Sequence, residues 1–245
     1  MQATDSQPSV SDLFDGPESD HYFRDLLPTL INESDRGAVL LGASQLDNQL
    51  TDFFDALVPA TTSGKRRKEI FNITGPFGSF SGKLDVAFTC RLLPETLVTA
   101  IHRFRKLRND VAHKPISFSL TDHTDEVRAI FALIGTGVEL GVTSMASQLM
   151  VQNAVASVVN LDDPTKPGEK LFADQAAALD YLLKNKHHFE KLEPHRLRWE
   201  VGVGLGLICA LIAYHKRNLL QAVGPNKSFA EAITQRIVNV SDSNA

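Results

Sequence analysis

Apolar residues recur along most of the chain at alternating spacings of three and four, the period of an α-helix that is buried on one side. The clearest stripe begins after Arg36 and ends at Pro59. Its length predicts a helix of about 25 residues. Its apolar positions are Val39, Ala43, Leu46, Leu50, Phe53 and Leu57. The same period dominates the rest of the chain, so we predict an all-α, antiparallel helical bundle.

Capping residues and prolines predict where the next helices begin and end. Ser79 or Ser81 is expected to cap a short helix that continues through Leu93. Pro94 suits the first turn of the following helix, and Pro115 should end that helix. Three further helices are predicted over 121–150, 172–189 and 194–222.

A polar stretch with two prolines at 160–170 is the expected domain boundary. We therefore expect a flexible segment over 1–20 and a helical bundle over 21–160. A helical C-terminal extension over 171–240 is expected to pack on or beside that bundle. The composition, 43% hydrophobic and 22% charged over 245 residues, allows a substantial core.

Charge and cysteine usage narrow the possible partners and the compartment. The formal net charge of −4 gives no general attraction to nucleic acid, so such binding would need a local basic patch. Cys90 and Cys209 both lie in apolar runs and are expected to be buried thiols in a reducing cytoplasm. No signal peptide is recognised at the start. The apolar run 201–214 is shorter than the roughly 20 residues of a bilayer helix, so we expect a buried helix and no membrane contact.

The stretch RKLRNDVAHKP, residues 105–115, carries the candidate chemistry. On a helical wheel, Arg108 falls in the middle of the apolar face of its helix. A second stripe lies more than a quarter-turn away and contains His102, Lys106, Asn109 and His113. An isolated buried charge costs several kcal/mol, so Arg108 should have either an acidic partner or an anionic ligand.

Two interpretations of Arg108 remain open. In the structural one, it joins a buried polar network that fixes the register of the bundle. The candidate members of that network are Glu33, Asp35, Arg36, Asp85, His102, Lys106 and Asp110. In the functional one, Arg108 holds a phosphate, Asn109 orients a substrate oxygen and His113 acts as general acid or base. Such a set could cleave RNA without a metal by activating the ribose 2′-hydroxyl.

The catalytic interpretation makes a prediction about assembly. Five residues of ideal helix place Arg108 and His113 about 140° apart. They converge only if the helix frays before Pro115 or if two copies meet across a symmetry axis, so the chemistry predicts a homodimer. A basic rim for nucleic acid is expected from Arg103, Arg105, Lys106 and residues 65–68, although a solvated helix face explains these charges equally well.

Other kinds of site find little support in the sequence. No serine nucleophile motif, paired-carboxylate signature or metal site is evident, and no cofactor is predicted. The glycine pattern GVGLG at 202–206 follows no predicted strand, so it does not suit a dinucleotide loop. Close helix packing explains these glycines better.

Three blocks of sequence resemble the mannitol operon repressor family of bacterial regulators. They are LINESDRGAVLLGASQLDNQL, GPFGSFSGKLDVAFTCRLL and HRFRKLRNDVAH, within residues 22–120. The last block is similar to the signature of the related HEPN superfamily, which is all-helical and usually dimeric. The resemblance implies either regulation without a DNA-reading helix, or metal-independent RNA cleavage at positions corresponding to Arg108, Asn109 and His113.

The leading hypothesis from sequence is a cytoplasmic regulatory protein of the mannitol-repressor type, acting as a dimer through contacts with a protein partner. The alternative is a HEPN-type, metal-independent endoribonuclease of a toxin or phage-defence system. Direct operator binding is the least favoured hypothesis, because it requires a basic helix directed into a DNA groove and the chain is acidic overall.

Overall fold

The computed structural model describes residues 13–14, 16–113 and 118–223, and within these ranges the chain folds as the all-α bundle that was predicted. A π-helical turn joins α1 to α2, and a 3₁₀ turn precedes α7. The helices are α1 Pro17–His21, α2 Leu27–Asn32, α3 Asp35–Leu57, α4 Gly64–Phe71, α5 Phe80–Thr89, α6 Glu95–His113, α7 Thr124–Ala132, α8 Val138–Val159, α9 Gln175–Lys184 and α10 Lys186–Val223. Most of the predicted flexible segment, and Pro115 with its predicted helix stop, lie outside the described residues.

Helix α3 follows its sequence pattern closely. The Ser34 side chain caps its start by accepting a hydrogen bond of 3.0 Å from the backbone nitrogen of Gly37. The stripe residues Leu46 and Leu50 are fully buried, and the helix ends at Leu57, shortly before Pro59. The predicted helix and its buried face are therefore confirmed.

Helices α5 and α6 form the next hairpin. Ser79 caps α5 by accepting a 3.0 Å hydrogen bond from the backbone nitrogen of Gly82, as one of the two predicted alternatives. The helix ends at Thr89 rather than Leu93, because the chain turns through Arg91 in a left-handed conformation with a φ of 53°. Cys90 lies at this helix end and is exposed, so the prediction that it is a buried thiol was wrong; Cys209 is buried as predicted.

The single helix expected over 121–150 is instead divided into α7 and α8. The break falls at Gly137, whose φ of 77° is a left-handed conformation that glycine adopts without a steric penalty. The apolar period continues on both sides of the break, since both helices bury a face in the same core. Periodicity alone could therefore not reveal the turn.

Helix α10 is the long central element of the bundle. It begins at Lys186, so Pro194 lies inside it rather than at the predicted start. It packs along α3 and α8, and its residues Val201, Leu205 and Ile208 are buried in the same apolar cluster as α3 and α6. The C-terminal part is thus a component of the main core, although a polar loop does separate it from α8.

The glycines of α10 allow this close packing. A Cβ atom added at Gly204 would lie 2.1 Å from the ring of Phe131, and one added at Gly202 would lie 2.4 Å from Leu27. By length and composition, Glu190–Ala222 resembles a membrane span, but 78% of its most apolar window is buried within the protein. Helix α10 therefore has the environment of a core helix.

Candidate functional site

Helices α3, α5 and α6 enclose a polar pocket of about 360 Å³. We name it the arginine pocket, and it is lined by Ala43, Ser44, Asp47, Phe80, Ser81, Arg105, Arg108 and Asn109. Two of the three residues predicted to be catalytic therefore lie in one concave site. The capped N-terminus of α5 borders the same space, which adds a favourable dipole for an anion.

Arg108 is exposed, so it does not lie within the apolar packing of its own subunit, and the alternative that it reaches across a dimer interface stays a prediction. Its neighbours Leu107 and Val111 are buried as the helical wheel predicts. At the position of Arg108, however, the facing side chains of α3 are small and α5 has only begun, so the arginine pocket takes the place of packed side chains. Nη1 of Arg108 donates a 3.0 Å hydrogen bond to Oδ1 of Asn109.

Arg105 lies beside Arg108 on the same side of α6, because residues three and four apart share a helix face. Its Nε atom is buried and has no hydrogen-bond partner among the described residues. Buried donors in native proteins nearly always have a partner, so this Nε is available to a group beyond the described residues. A guanidinium in a pocket is suited to binding a phosphate or carboxylate through charge-assisted hydrogen bonds.

The carboxylate in the pocket belongs to Asp47, which the sequence reasoning missed. One of its oxygens, Oδ1, accepts a 2.6 Å hydrogen bond from Nζ of Lys83. The same Nζ donates to the hydroxyl of Thr51 at 2.6 Å and to the backbone oxygen of Asp47 at 3.3 Å. Lys83 is 4% exposed, so a buried cation with three acceptors holds Asp47 in place.

His113 is the third predicted catalytic residue. Helix α6 remains helical through His113, and this residue is exposed at the helix end. Asn109 and His113 are four residues apart and therefore share a face. Because the helix does not fray before its end, Arg108 and His113 keep the angular separation of an ideal helix within one subunit. His113 does not line the arginine pocket itself.

The predicted polar network is not assembled around Arg108. Glu33, Asp85, His102, Lys106 and Asp110 are all exposed, and none of them forms an ion pair within the described part of the chain. Exposed charged side chains of this kind stay hydrated, so they gain little stability from forming ion pairs with one another. Arg36 is only partly buried.

Asp35 does take part in a buried cluster, but its partner comes from α10. Its Oδ1 accepts hydrogen bonds from Nε and Nη2 of Arg198 at 3.1 and 2.8 Å, and its Oδ2 accepts one from the backbone nitrogen of Leu120 at 2.9 Å. Nη1 of Arg198 donates to the backbone oxygen of Ile31 at 3.0 Å. We name these contacts the Asp35–Arg198 cluster, and they tie α2, α3 and the 3₁₀ turn to α10.

The predicted basic rim is divided between two places. Arg105 lines the arginine pocket, whereas Arg103 and Lys106 are exposed elsewhere on α6. In α4, Arg67 pairs with Asp55 and also donates to its backbone oxygen at 2.7 Å. Asp55 lies eight residues from Asp47, about 12 Å along α3. The basic helix therefore lies away from the pocket.

A larger pocket of about 790 Å³ lies at the α5–α6 turn, where it contacts Arg91, Glu95 and His215. Partial burial lowers the pKa of His215. None of the residues predicted to be catalytic lines this pocket. It is therefore a less favourable location for the chemistry proposed from sequence.

In the described ranges, no group of three or more His, Cys, Asp or Glu side chains is arranged to hold a metal ion. Comparisons with protein-family models, curated proteins and solved structures found no match for this chain. The resemblance to the mannitol operon repressor and HEPN groups therefore stays a prediction from sequence, and function has to be argued from the site.

Proposed function

We propose that the chain is a HEPN-type endoribonuclease whose arginine pocket binds a phosphate of RNA. The observation that carries this proposal is the position of Arg108, which is exposed in the pocket beside Asn109 instead of being held in a buried ion pair. Arg105 adds a second cation, whose Nε has no hydrogen-bond partner in the part of the chain that the structure describes. This arrangement favours the functional interpretation of Arg108 over the structural one.

The proposed reaction is a transesterification within the RNA strand. The ribose 2′-oxygen bonds to the adjacent phosphorus, the bond from phosphorus to the 5′-oxygen breaks, and a 2′,3′-cyclic phosphate remains. Arg105 and Arg108 stabilise the charge that develops on the phosphate oxygens, and Asn109 orients one of them. His113 of a second copy transfers a proton across the predicted dimer.

RNA cleavage by purified protein tests this proposal. Wild type, Arg108→Ala and His113→Ala are compared on a labelled RNA, with Arg103→Ala as a matched control that removes one exposed charge from the same helix. General acid–base catalysis contributes about 10²- to 10⁴-fold, so His113→Ala should lose at least about 100-fold and Arg103→Ala little. Absence of cleavage by wild type, or full activity in both site variants, would refute it.

A second candidate is the cytoplasmic regulatory protein that acts as a dimer through protein contacts. It is favoured by an exposed apolar patch around the α8–α9 connection. The backbone nitrogen of Leu171 donates a 2.8 Å hydrogen bond to the oxygen of Leu161, so these two exposed side chains are neighbours. Leu161 and Leu171 are 48% and 43% exposed and form this patch. Apolar surface of this kind is typical of a protein-binding site.

Molecular mass in solution tests the dimer that this second candidate requires. We expect wild type to be dimeric at micromolar concentration, and the double variant Leu161→Asp/Leu171→Asp to be monomeric. Leu140→Asp is the matched control, since Leu140 is equally apolar and 70% exposed but lies at the opposite end of α8. A wild type that is strictly monomeric contradicts the candidate.

A further inference from the structure

We propose that Asp47 is the proton acceptor for the ribose 2′-hydroxyl of the RNA bound in the arginine pocket. This inference rests on the proposed ribonuclease function and adds to it the identity of the general base. The role of His113 then becomes that of the general acid.

The first argument is the position of the free oxygen of Asp47. Lys83 and Thr51 hold one side of this residue, whereas Oδ2 has no hydrogen-bond partner within the described ranges. Asp47 lines the pocket, and 39% of its side chain is exposed. The carboxylate is therefore fixed by a buried lysine while one oxygen stays available to a ligand.

The second argument is that opposite charges line the arginine pocket without pairing. Neither Arg105 nor Arg108 forms an ion pair with Asp47, or with any other acidic residue that the structure describes. The space between them, about 360 Å³, falls within the roughly 300–1,000 Å³ usual for small-ligand sites. A ligand that bridges this gap needs an anionic group for the arginines and a hydrogen-bond donor for Asp47.

A ribonucleotide in a strand offers both groups side by side. A phosphodiester carries one negative charge and has no donor of its own, and the neighbouring ribose supplies the 2′-hydroxyl. DNA offers the same phosphate but lacks this donor. The combination of two guanidiniums with one fixed carboxylate therefore selects RNA over DNA in the bound state.

The proton balance of the reaction is complete with these residues. Oδ2 of Asp47 removes the proton from the 2′-hydroxyl as the bond from the 2′-oxygen to phosphorus forms. His113 of a second copy, across the predicted dimer, gives a proton to the 5′-oxygen as its bond to phosphorus breaks. The two groups regain their starting states by exchanging protons with water, so no metal ion, oxidant or further reactant enters the balance.

The test compares Asp47→Asn with Asp52→Asn, which removes an exposed carboxylate from the same helix outside the pocket. Cleavage of RNA is measured against pH, and binding is measured with a non-cleavable 2′-deoxy oligonucleotide of the same sequence. Asp47→Asn should cleave at least about 100-fold more slowly and lose the fall in rate on the acid side, because that fall reports protonation of the base. Its affinity for the deoxy oligonucleotide should stay within about threefold, since the arginines remain.

Folding of the variant is checked by urea denaturation, because Asn replaces the charge partner of a buried lysine. If Asp47→Asn is unfolded, the double variant Asp47→Asn/Lys83→Met, which removes both charges, replaces it. Cleavage by Asp47→Asn within about threefold of wild type, with an unchanged pH profile, overturns the role of Asp47 and leaves the ribonuclease proposal standing. A wild type that cleaves no RNA overturns both.

Discussion

The Asp35–Arg198 cluster and the arginine pocket each combine a carboxylate of α3 with arginine from another helix, yet they differ in whether their charged groups have partners. In the cluster, the side chains of Arg198 and Asp35 are only 13% and 16% exposed, and both carboxylate oxygens and all three guanidinium nitrogens have partners. In the pocket, Arg108 is exposed and its one hydrogen bond among the described residues goes to Asn109, and Nε of Arg105 has no partner among them.

This difference distinguishes charged residues that stabilise the fold from charged residues that are available to bind a ligand. A buried ion pair repays its desolvation only when its geometry is good and its remaining hydrogen bonds are made, as in the cluster. A guanidinium that is left without an acidic partner in a pocket contributes little to folding and remains available for a ligand. The pair of Lys83 and Asp47 lies between these cases, since its lysine is saturated and its carboxylate is not.

Removing a member of the cluster should have the largest effect on stability. Arg198→Ala leaves Asp35 buried without its cation, and breaking a buried pair in this way costs about 3–5 kcal/mol. The free energy of unfolding in urea measures this loss. A decrease below about 1 kcal/mol would show that the cluster does not hold the helices together.

Helix α10, which carries Arg198, should also tolerate added volume poorly. Gly204→Ala places a methyl group against Phe131 and should destabilise the protein by about 1–3 kcal/mol. Gly141→Ala in α8 is the control, because nothing lies within 4 Å of the added Cβ. That change should stabilise by about 0.4–1 kcal/mol. Thermal unfolding of both variants measures the difference, and equal shifts would contradict the close packing assigned to α10.

His215 differs from both regions, because it is partly buried and forms no ion pair with any residue that the structure describes. Burial lowers its pKa below the usual 6.5, so the unfolded chain takes up this proton first as the pH falls. Neutral His215 therefore allows the folded state its full stability above pH 6.5. This part of the folding stability is lost as the pH falls from 6.5 through the folded-state pKa. His215→Gln should therefore lose less stability than wild type between about pH 7 and pH 5, as measured by urea midpoints. Parallel curves for the two proteins would exclude this contribution.

Arg108→Ala should have the smallest effect on stability. Surface substitutions away from special features usually change stability by less than about 0.5 kcal/mol, and Arg108 is exposed. Urea denaturation, carried out as for Arg198→Ala, provides the measurement. A loss above about 2 kcal/mol would mean that Arg108 is structural after all, and the contrast between cluster and pocket would disappear.

Much of the fold could be predicted from local sequence patterns. The partners of the charged residues could not be predicted in this way. Capping by Ser34 and Ser79 and the stripe of α3 depend on residues within one or two turns, so the sequence contains their causes. The cation that binds Asp35 lies 163 residues away, at Arg198, and no local spacing connects the two. The helical wheel also assumed that other helices cover the apolar face of α6 along its whole length. At Arg108 this assumption is wrong, because a pocket lies there.

The same limit explains why Asp47 was missed. It directly follows the buried Leu46, and its importance comes from Lys83 and from the arginines of α6 across the pocket. Arg108 and Asn109, by contrast, were found because their motif is contiguous. Sequence reasoning therefore identified one wall of the site, and the packing of α3 and α5 against α6 defined the rest.

The claim that the arginine pocket holds functional rather than structural charge is tested most directly by binding. The affinity of a non-cleavable 2′-deoxy oligonucleotide is measured for Arg108→Ala and Arg103→Ala at one salt concentration. Each variant loses a single exposed cation from α6, but only Arg108 lines the pocket. Hydrogen bonds to charged groups contribute about 1.5–3 kcal/mol, so Arg108→Ala should bind at least about tenfold more weakly than wild type. Arg103→Ala should stay within about threefold. Equal weakening in the two variants would mean that only net charge matters and that the arginine pocket is not the binding site.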